Sequence, residues 1–467
     1  MSNNAVLNSV EQDAEMKRLK DYLDDKIAKA KKALKELEPY TQEQIDALVK
    51  AIAKTVFDNA EELGKFAVED TGMGVVADKI AKNRGKANSI WWSLRDKKSV
   101  GIIDRDKVTG IVKVAKPVGV VAAITPVTNP SVTPMSNSMF AIKGRNPIII
   151  APHPRALATG VKTVGYINES LKKLGAPENI IQILEIPSLE LTNMLASAAD
   201  VVIATGGAAM VKSVYSSGKP ALGVGAGNIQ ALIDEGVDYD AAAKKIVTGR
   251  GFDNGIICTG EQSIIAPRKD FDKIMECFSN NGAYVVPDSK RDALREVLFP
   301  GGEMNRSIVG QDPWIIAEAA GMTIPKDKRA LVVESTGLDD ILGAEKIFPV
   351  LSSFRYDTWS EAVAIARNNL EKAGKGHSIC IHSDNDAHIE EAALKTEVSR
   401  IVINQVCATS GGGSFFNGLN PTNTLGCGSW GNNSISENLT YYHLINVSRI
   451  AYNMVNNKVP TTDEIWG

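Results

Sequence analysis

What most constrains this chain is a series of brief, almost continuously apolar segments set apart by stretches with helical patterning. Residues 118–125, 147–151, 180–184, 201–204 and 229–233 are such segments, and 155–174 and 189–198 are helical stretches between them. A strand apolar on both faces must be covered on both faces, and here the covering elements are helices. The rhythm predicts an α/β fold built on a parallel sheet. A second alternation begins near Asp240, with strands expected at 263–266, 283–286, 330–333, 350–354, 378–382 and 401–404. Glycine and polar residues crowd 408–434, which favours a backbone-lined pocket over a packed element.

The flanks differ in kind. Leu19, Leu23, Ile27, Ala30 and Leu34 recur every three to four residues, and residues 11–70 read as two helices, the second opened by a capping box of Thr41 and Gln44. Residues 99–116 read as a hairpin around the turn-rich segment 104–110, and the β-branched stretch 445–450 is a candidate to pair with it.

Composition then removes whole classes of function. With 52 Lys+Arg against 55 Asp+Glu, the net charge of −3 offers no basic footprint for nucleic acid. No apolar run reaches membrane-spanning length, and the first twenty residues lack the apolar core of a secretory signal, so a cytoplasmic protein is expected. Five cysteines with no CxxC pair, and five histidines at no metal spacing, argue against a disulfide framework and a metal centre.

A few segments carry possible chemistry. Cys258 follows the turn signal Asn254-Gly255 and precedes small Thr259 and Gly260; spacing alone leaves it a nucleophile or a buried structural cysteine, with Cys427 as its one serious competitor. Asn129, between the end of an expected strand and Pro130, is placed either to aim its amide at an oxyanion or to cap the next turn. Thr205-Gly206-Gly207 follows a strand and precedes a helix, where backbone N–H groups suit a pyrophosphate. Gly223 and Gly225 lie in a glycine-rich stretch that precedes a strand, so they read as a loop near a ligand and not as a dinucleotide fingerprint. His153 ends a strand where ribose contacts lie, and His377 enters a strand from a glycine loop; each is equally readable as a hydrogen-bonded surface residue.

Together, Asp253-Asn254-Gly255-Ile256-Ile257-Cys258, Ala151-Pro152-His153-Pro154, Leu425-Gly426-Cys427-Gly428-Ser429-Trp430-Gly431 and Ser436-Glu437-Asn438-Leu439-Thr440-Tyr441 resemble the CoA-acylating branch of the aldehyde dehydrogenase superfamily, from about Lys31 to Gly467. The resemblance implies two parallel-sheet α/β domains and a small β oligomerisation arm. A dinucleotide-binding domain would span 1–98 and 117–238, a catalytic domain 239–434, and the arm 99–116 and 435–467, making a homodimer or larger assembly. It implies that Cys258 attacks the aldehyde carbonyl, that Asn129 and the Cys258 N–H hold the oxyanion, and that hydride loss to a nicotinamide leaves a thioester which coenzyme A collects. Thr125, Pro126, His153, Pro154, Arg155, Thr205, Gly206, Gly207, Gly223, Gly225 and Leu425 would line the cofactor's path, with Glu345 on the nicotinamide ribose.

Several finer expectations attach to it. Hydrolytic relatives carry a glutamate in the loop matching 222–227; this chain has no acid there, which favours acyl transfer to a thiol over hydrolysis. No acid ends the His153 strand, so Arg155 and Lys162 are candidates for a 2′-phosphate, leaning to NADP with NAD an alternative. The resemblance extends to enzymes acting on succinate semialdehyde and succinyl-CoA, and Arg250, eight residues before Cys258, is the candidate for the distal carboxylate, with His377 beside the substrate. The rivals are an acylating acetaldehyde, propionaldehyde or butyraldehyde dehydrogenase, a reductase of γ-glutamyl-phosphate type on the same fold, and an inactive structural homologue.

Overall fold

The computed structural model describes residues 3–467. Four helices open the chain: α1 (Asn3–Leu37), α2 (Gln42–Asp58), α3 (Ala60–Thr71) and α4 (Val76–Leu94). The capping box at Thr41 and Gln44 is formed in both directions. The apolar pattern over 11–70 predicts two helices where the structure has three. Asn59 ends one and begins the next, its amide turned back onto the Thr55 carbonyl. Along α1, Leu19, Leu23, Ile27 and Ala30 join the core on one face of the first sheet.

The hairpin is formed by β1 (Gly101–Asp106) and β2 (Ile111–Pro117), paired antiparallel. The first parallel sheet comprises β3 (Val121–Thr125), β4 (Ile148–Pro152), β5 (Ile181–Ile183), β6 (Val201–Thr205) and β7 (Ala221–Val224), in the order β5-β4-β3-β6-β7. Its connections carry α5 (Val132–Lys143), α6 (Leu157–Lys173), α7 (Leu189–Ala198) and α8 (Ala208–Tyr215). From β3 the chain steps outward through β4 to β5, then returns to place β6 on the other side of β3. That reversal opens a crevice beyond the carboxyl ends of β3 and β6, where open α/β sheets bind ligands. The glycine-rich stretch read as a loop begins inside β7. Gly223 sits there because Tyr215 and Val211 fill the space a side chain would need, each 2.8 Å from the position of a Cβ.

The second sheet comprises β8 (Ile229–Ile233), β9 (Glu261–Pro267), β10 (Ala283–Val285), β11 (Ala330–Glu334), β12 (Val350–Tyr356), β13 (Gly376–His382) and β14 (Val398–Ile403), ordered β10-β11-β12-β9-β8-β13-β14. The sequence rhythm puts 229–233 with the first sheet and the boundary at 238. The strand pairs instead with β9 and β13, so the crossing falls between Val224 and Ile229. A strand buried on both faces reads the same in either sheet, which is why apolar run length does not assign it. Helix α9 (Tyr239–Gly251) then leads to the Cys258 turn. Finally β15 (Ile445–Ala451) pairs antiparallel with β2, completing a three-stranded arm, as the β-branched tail predicts.

Candidate active site

Cys258 owes its position to a turn that few sequences can make. Asp253 and Asn254 both have φ of 52° and Gly255 has φ of 75°, three left-handed residues in succession. Asp and Asn tolerate that region better than other residues with a Cβ. At Gly255 no side chain fits, since a Cβ would lie 2.4 Å from the Phe348 carbonyl oxygen. The turn is held from outside. Asp253 accepts hydrogen bonds from Val75 N–H at 2.9 Å, Lys79 Nζ at 3.0 Å and Lys82 Nζ at 2.6 Å, all reaching over from the start of α4. Asn254 donates to the Gly310 carbonyl and to Asp312.

The residues around the thiol come from the leading ends of neighbouring strands. Gly227, just before β8, passes so close that a Cβ would lie 2.0 Å from the Cys258 carbonyl oxygen and 3.3 Å from His377 Nε2. Its N–H donates to Glu345 Oε1 at 3.0 Å, and Glu345 precedes β12. His377 opens β13 fully buried, Nδ1 on Ser378 Oγ and Nε2 without a partner. Burial, reinforced by Arg400, keeps its ring neutral by holding the pKa well below the ordinary value. The surface alternative for His377 is thereby excluded. It stands behind Gly227, inside the wall of the site.

The electrostatics oppose one another at the sulfur. Burial pushes the Cys258 thiol up to about 11, with Glu345 and Cys427 adding to the rise, while Arg400 and Lys86 pull it down. Burial also lifts the Glu345 carboxyl to about 7. Arg400, on β14, donates to Ser378 Oγ, Asn438 Oδ1 and the His377 carbonyl, so a fixed guanidinium stands near both Cys258 and Cys427. Asn129 follows β3 and is buried with its carboxamide oxygen unpartnered; its Nδ2 has one long contact, 3.5 Å to Thr128 Oγ1. Lys82 bridges the Thr128 carbonyl to Asp253, tying the Asn129 loop to the Cys258 turn. A carboxamide with so little to bond is free to donate to an oxygen that gains charge.

Seven of the expected cofactor residues come together. Thr125, Pro126, His153, Pro154, Thr205, Gly206 and Gly207 line one open cleft beyond the ends of β3, β4 and β6. Gly207 caps α8 with no side-chain hydrogen bond, and a Cβ there would meet nothing within 4 Å. The open backbone at a helix start suits a pyrophosphate, so the cleft fits a dinucleotide.

Other assignments fail. Arg250 is wholly buried and donates to the carbonyls of Glu261, Lys346 and Phe348, so it clamps the segment after Glu345 and cannot meet a substrate carboxylate. Of the two cations expected at a 2′-phosphate, Lys162 pairs with Glu62, and Arg155 donates from Nη2 to the Thr71 carbonyl while remaining exposed. Gly223 donates its N–H to the Tyr215 hydroxyl beneath the sheet, away from the cleft. Gly225 follows β7 and does not line the cleft. Leu425 is buried and bridged to Asn438; the neighbouring Thr424 hydroxyl is what reaches Thr205, at 3.1 Å.

Sequence reasoning missed Lys86 and Arg400. The signal for the first was present: Lys79, Lys82, Asn83 and Lys86 recur at helical spacing, and a face carrying three lysines turned inward needs anions to meet it. Among the described residues no group of three or more His, Cys, Asp or Glu could hold a metal ion, and no helix is long and apolar enough to cross a membrane.

Comparison with known proteins agrees with this architecture. The chain matches the aldehyde dehydrogenase family model over residues 11–292. The chain is 55% identical to succinate-semialdehyde dehydrogenase (acetylating) of Clostridium kluyveri over 94% of its own length and 98% of that protein's. The structure of an acetylating aldehyde dehydrogenase from Geobacillus thermoglucosidasius superposes with a TM-score of 0.91 at 35% identity, covering 96% of this chain and 99% of that one. The propionaldehyde dehydrogenase of Rhodopseudomonas palustris, solved with bound CoA and an acylated cysteine, superposes with a TM-score of 0.83 at 27% identity, covering 92% and 96%. The chain therefore belongs to the aldehyde dehydrogenase family. These relatives, matched over nearly its full length, are of the acylating kind.

Proposed function

We propose that this protein is a CoA-acylating succinate-semialdehyde dehydrogenase, interconverting succinate semialdehyde and succinyl-CoA through a thioester on Cys258. The observation that carries the reading is the position of Cys258 beside Gly227: the strap 222–227 supplies no carboxylate of its own, and the Glu345 carboxyl next to it accepts the Gly227 N–H. The name of the 55%-identical relative supports the four-carbon substrate, and the acylated cysteine of the propionaldehyde enzyme supports the thioester.

The residues divide the work. Cys258 gives up its proton to solvent and its sulfur bonds to the aldehyde carbon, and the oxygen of the thiohemiacetal takes hydrogen bonds from the Asn129 amide and the Cys258 N–H. A bound nicotinamide dinucleotide supplies hydride acceptance and return. Thr205, Gly206 and Gly207 would hold its phosphates and His153 its ribose. Collapse of the thiohemiacetal leaves the acyl group on Cys258, and the thiolate of coenzyme A takes it by attack at the same carbon. Because a thiol is partly ionised near neutral pH, this step needs less help from a base than hydrolysis does. Arg155 and Lys162 leave the choice of dinucleotide open, and the assay is run with NADPH and NADH in turn. The arm's outer strands β1 and β15 each leave one edge unpaired, which suits pairing with another copy of the chain.

Steady-state reduction of succinyl-, butyryl- and acetyl-CoA tests the reading, together with mass spectrometry of the protein after incubation with succinyl-CoA alone. A succinyl adduct on Cys258 and highest kcat/KM for succinyl-CoA are expected. An unmodified Cys258, or a preference for acetyl-CoA, overturns the assignment.

A further inference from the structure

With Arg250 removed from consideration, the site lacks a partner for a substrate's distal carboxylate, and the nearby cations can be taken in turn. Arg400 is spent on Ser378, Asn438 and the His377 carbonyl. Lys79 and Lys82 are spent on Asp253. Lys86 is the next lysine on the same face of α4, one turn beyond Lys82, and among the described residues no carboxylate lies within salt-bridge distance of its ammonium. Its one hydrogen bond runs to the Gly412 carbonyl, at 2.9 Å.

That contact places Lys86 beside the nucleophile. Gly411, next to Gly412, packs on Thr259, whose Cγ2 lies 3.1 Å from where a Gly411 Cβ would stand, and Thr259 is the residue after Cys258. The Thr259 hydroxyl bonds the Ala408 carbonyl, fixing this loop against the turn. The start of α5 adjoins α4, with Ser131 Oγ donating to Asn83 Oδ1 at 2.7 Å. There Thr133, one helical turn past Asn129, is fully buried with no partner for its hydroxyl. Lys86 and Cys258 also perturb each other electrostatically, and burial draws the ammonium down to about 8.

We infer that Lys86 is the specificity-determining cation of this site, its ammonium receiving the distal carboxylate of the acyl chain carried on Cys258. This rests on the reading of the substrate as a four-carbon semialdehyde acid. An ammonium has three donors and Gly412 occupies one, which leaves two for a carboxylate.

The test compares kcat/KM for succinyl-CoA and butyryl-CoA, which differ in the terminal carboxylate, in the wild type, Lys86→Gln and Lys86→Arg. A charge-assisted hydrogen bond lost in a water-poor site is expected to lower the succinyl-to-butyryl ratio about 10- to 100-fold in Lys86→Gln, chiefly through KM, with Lys86→Arg retaining most of it. A wild type that does not favour succinyl-CoA defeats the functional reading, and this inference with it. A wild type that favours it, with a Lys86→Gln ratio within about twofold of its own, overturns Lys86 alone. If Lys86→Gln turns over neither substrate, protection of Cys258 from iodoacetamide decides. Succinate is expected to protect the wild type better than butyrate does, and equal protection by succinate in the variant overturns the assignment.

Discussion

Asp253→Asn isolates the charge that anchors the nucleophile's turn. Asparagine has nearly the same shape and tolerates φ of 52°, so the backbone is undisturbed. What changes is that Lys79 and Lys82, both buried, lose the carboxylate that lies 3.0 and 2.6 Å from them. Breaking one side of a buried ion pair costs about 3–5 kcal/mol. The variant has a partial escape. Burial, with Lys82 close by, already draws the Lys79 ammonium down to about 8, and without Asp253 it falls further, so Lys79 sheds its proton instead of standing unpaired. The sign follows. A folded value below the unfolded value of about 10.4 means the unfolded chain holds the extra proton between them, so stability rises with pH across that window. The window widens in the variant, and its penalty at pH 7 therefore shrinks by about 1 kcal/mol by pH 9. Urea denaturation of both proteins at pH 7 and pH 9, followed by fluorescence, measures this. A penalty under about 1 kcal/mol at pH 7, or one that grows toward pH 9, refutes the reasoning, since a buried pair broken on one side predicts neither.

Three further outcomes follow from the site. Asn129→Ala is expected to lower kcat about 100- to 1,000-fold with the thermal midpoint near that of the wild type, as for loss of one oxyanion donor; full activity contradicts the role. Glu345→Gln removes a negative charge that helps hold the Cys258 thiol near 11, so iodoacetamide should alkylate Cys258 faster at pH 8, and the rate–pH curve should move to lower pH. A slower reaction argues against that coupling. Glu345 also gives a stability signature: its folded value of about 7 exceeds the unfolded value of about 4.3, so its contribution falls as pH rises between them and is lost in the variant.

The sequence was informative where local pattern alone decides. Strands buried on both faces betray themselves as unbroken apolar runs, and the Asn254-Gly255 signal placed Cys258 after a tight bend, as observed. The cofactor cleft was legible because strand ends and small residues adjoin in the chain before they adjoin in space. Failures arose where distance along the chain was taken for distance in space. Arg250 is eight residues from Cys258, yet the last turn of α9 points it into the core, onto three backbone carbonyls. Lys86 is 172 residues from Cys258 and stands near it, because α4 packs on the Asp253 turn and reaches Gly412. β8 was assigned to the wrong sheet because burial on two sides carries no label for which neighbours supply it.

The anchoring of Asp253 by Val75, Lys79 and Lys82 has a mechanical consequence. The sulfur is moored to the opposite bank: its loop is fastened to a helix that packs with the cofactor half of the chain, not only to the strands that follow it. A hinge that parted the halves would have to tear this mooring before it could widen the channel. If Cys258 carries an acyl group as proposed, that group would stay at a fixed station while reagents exchange around it.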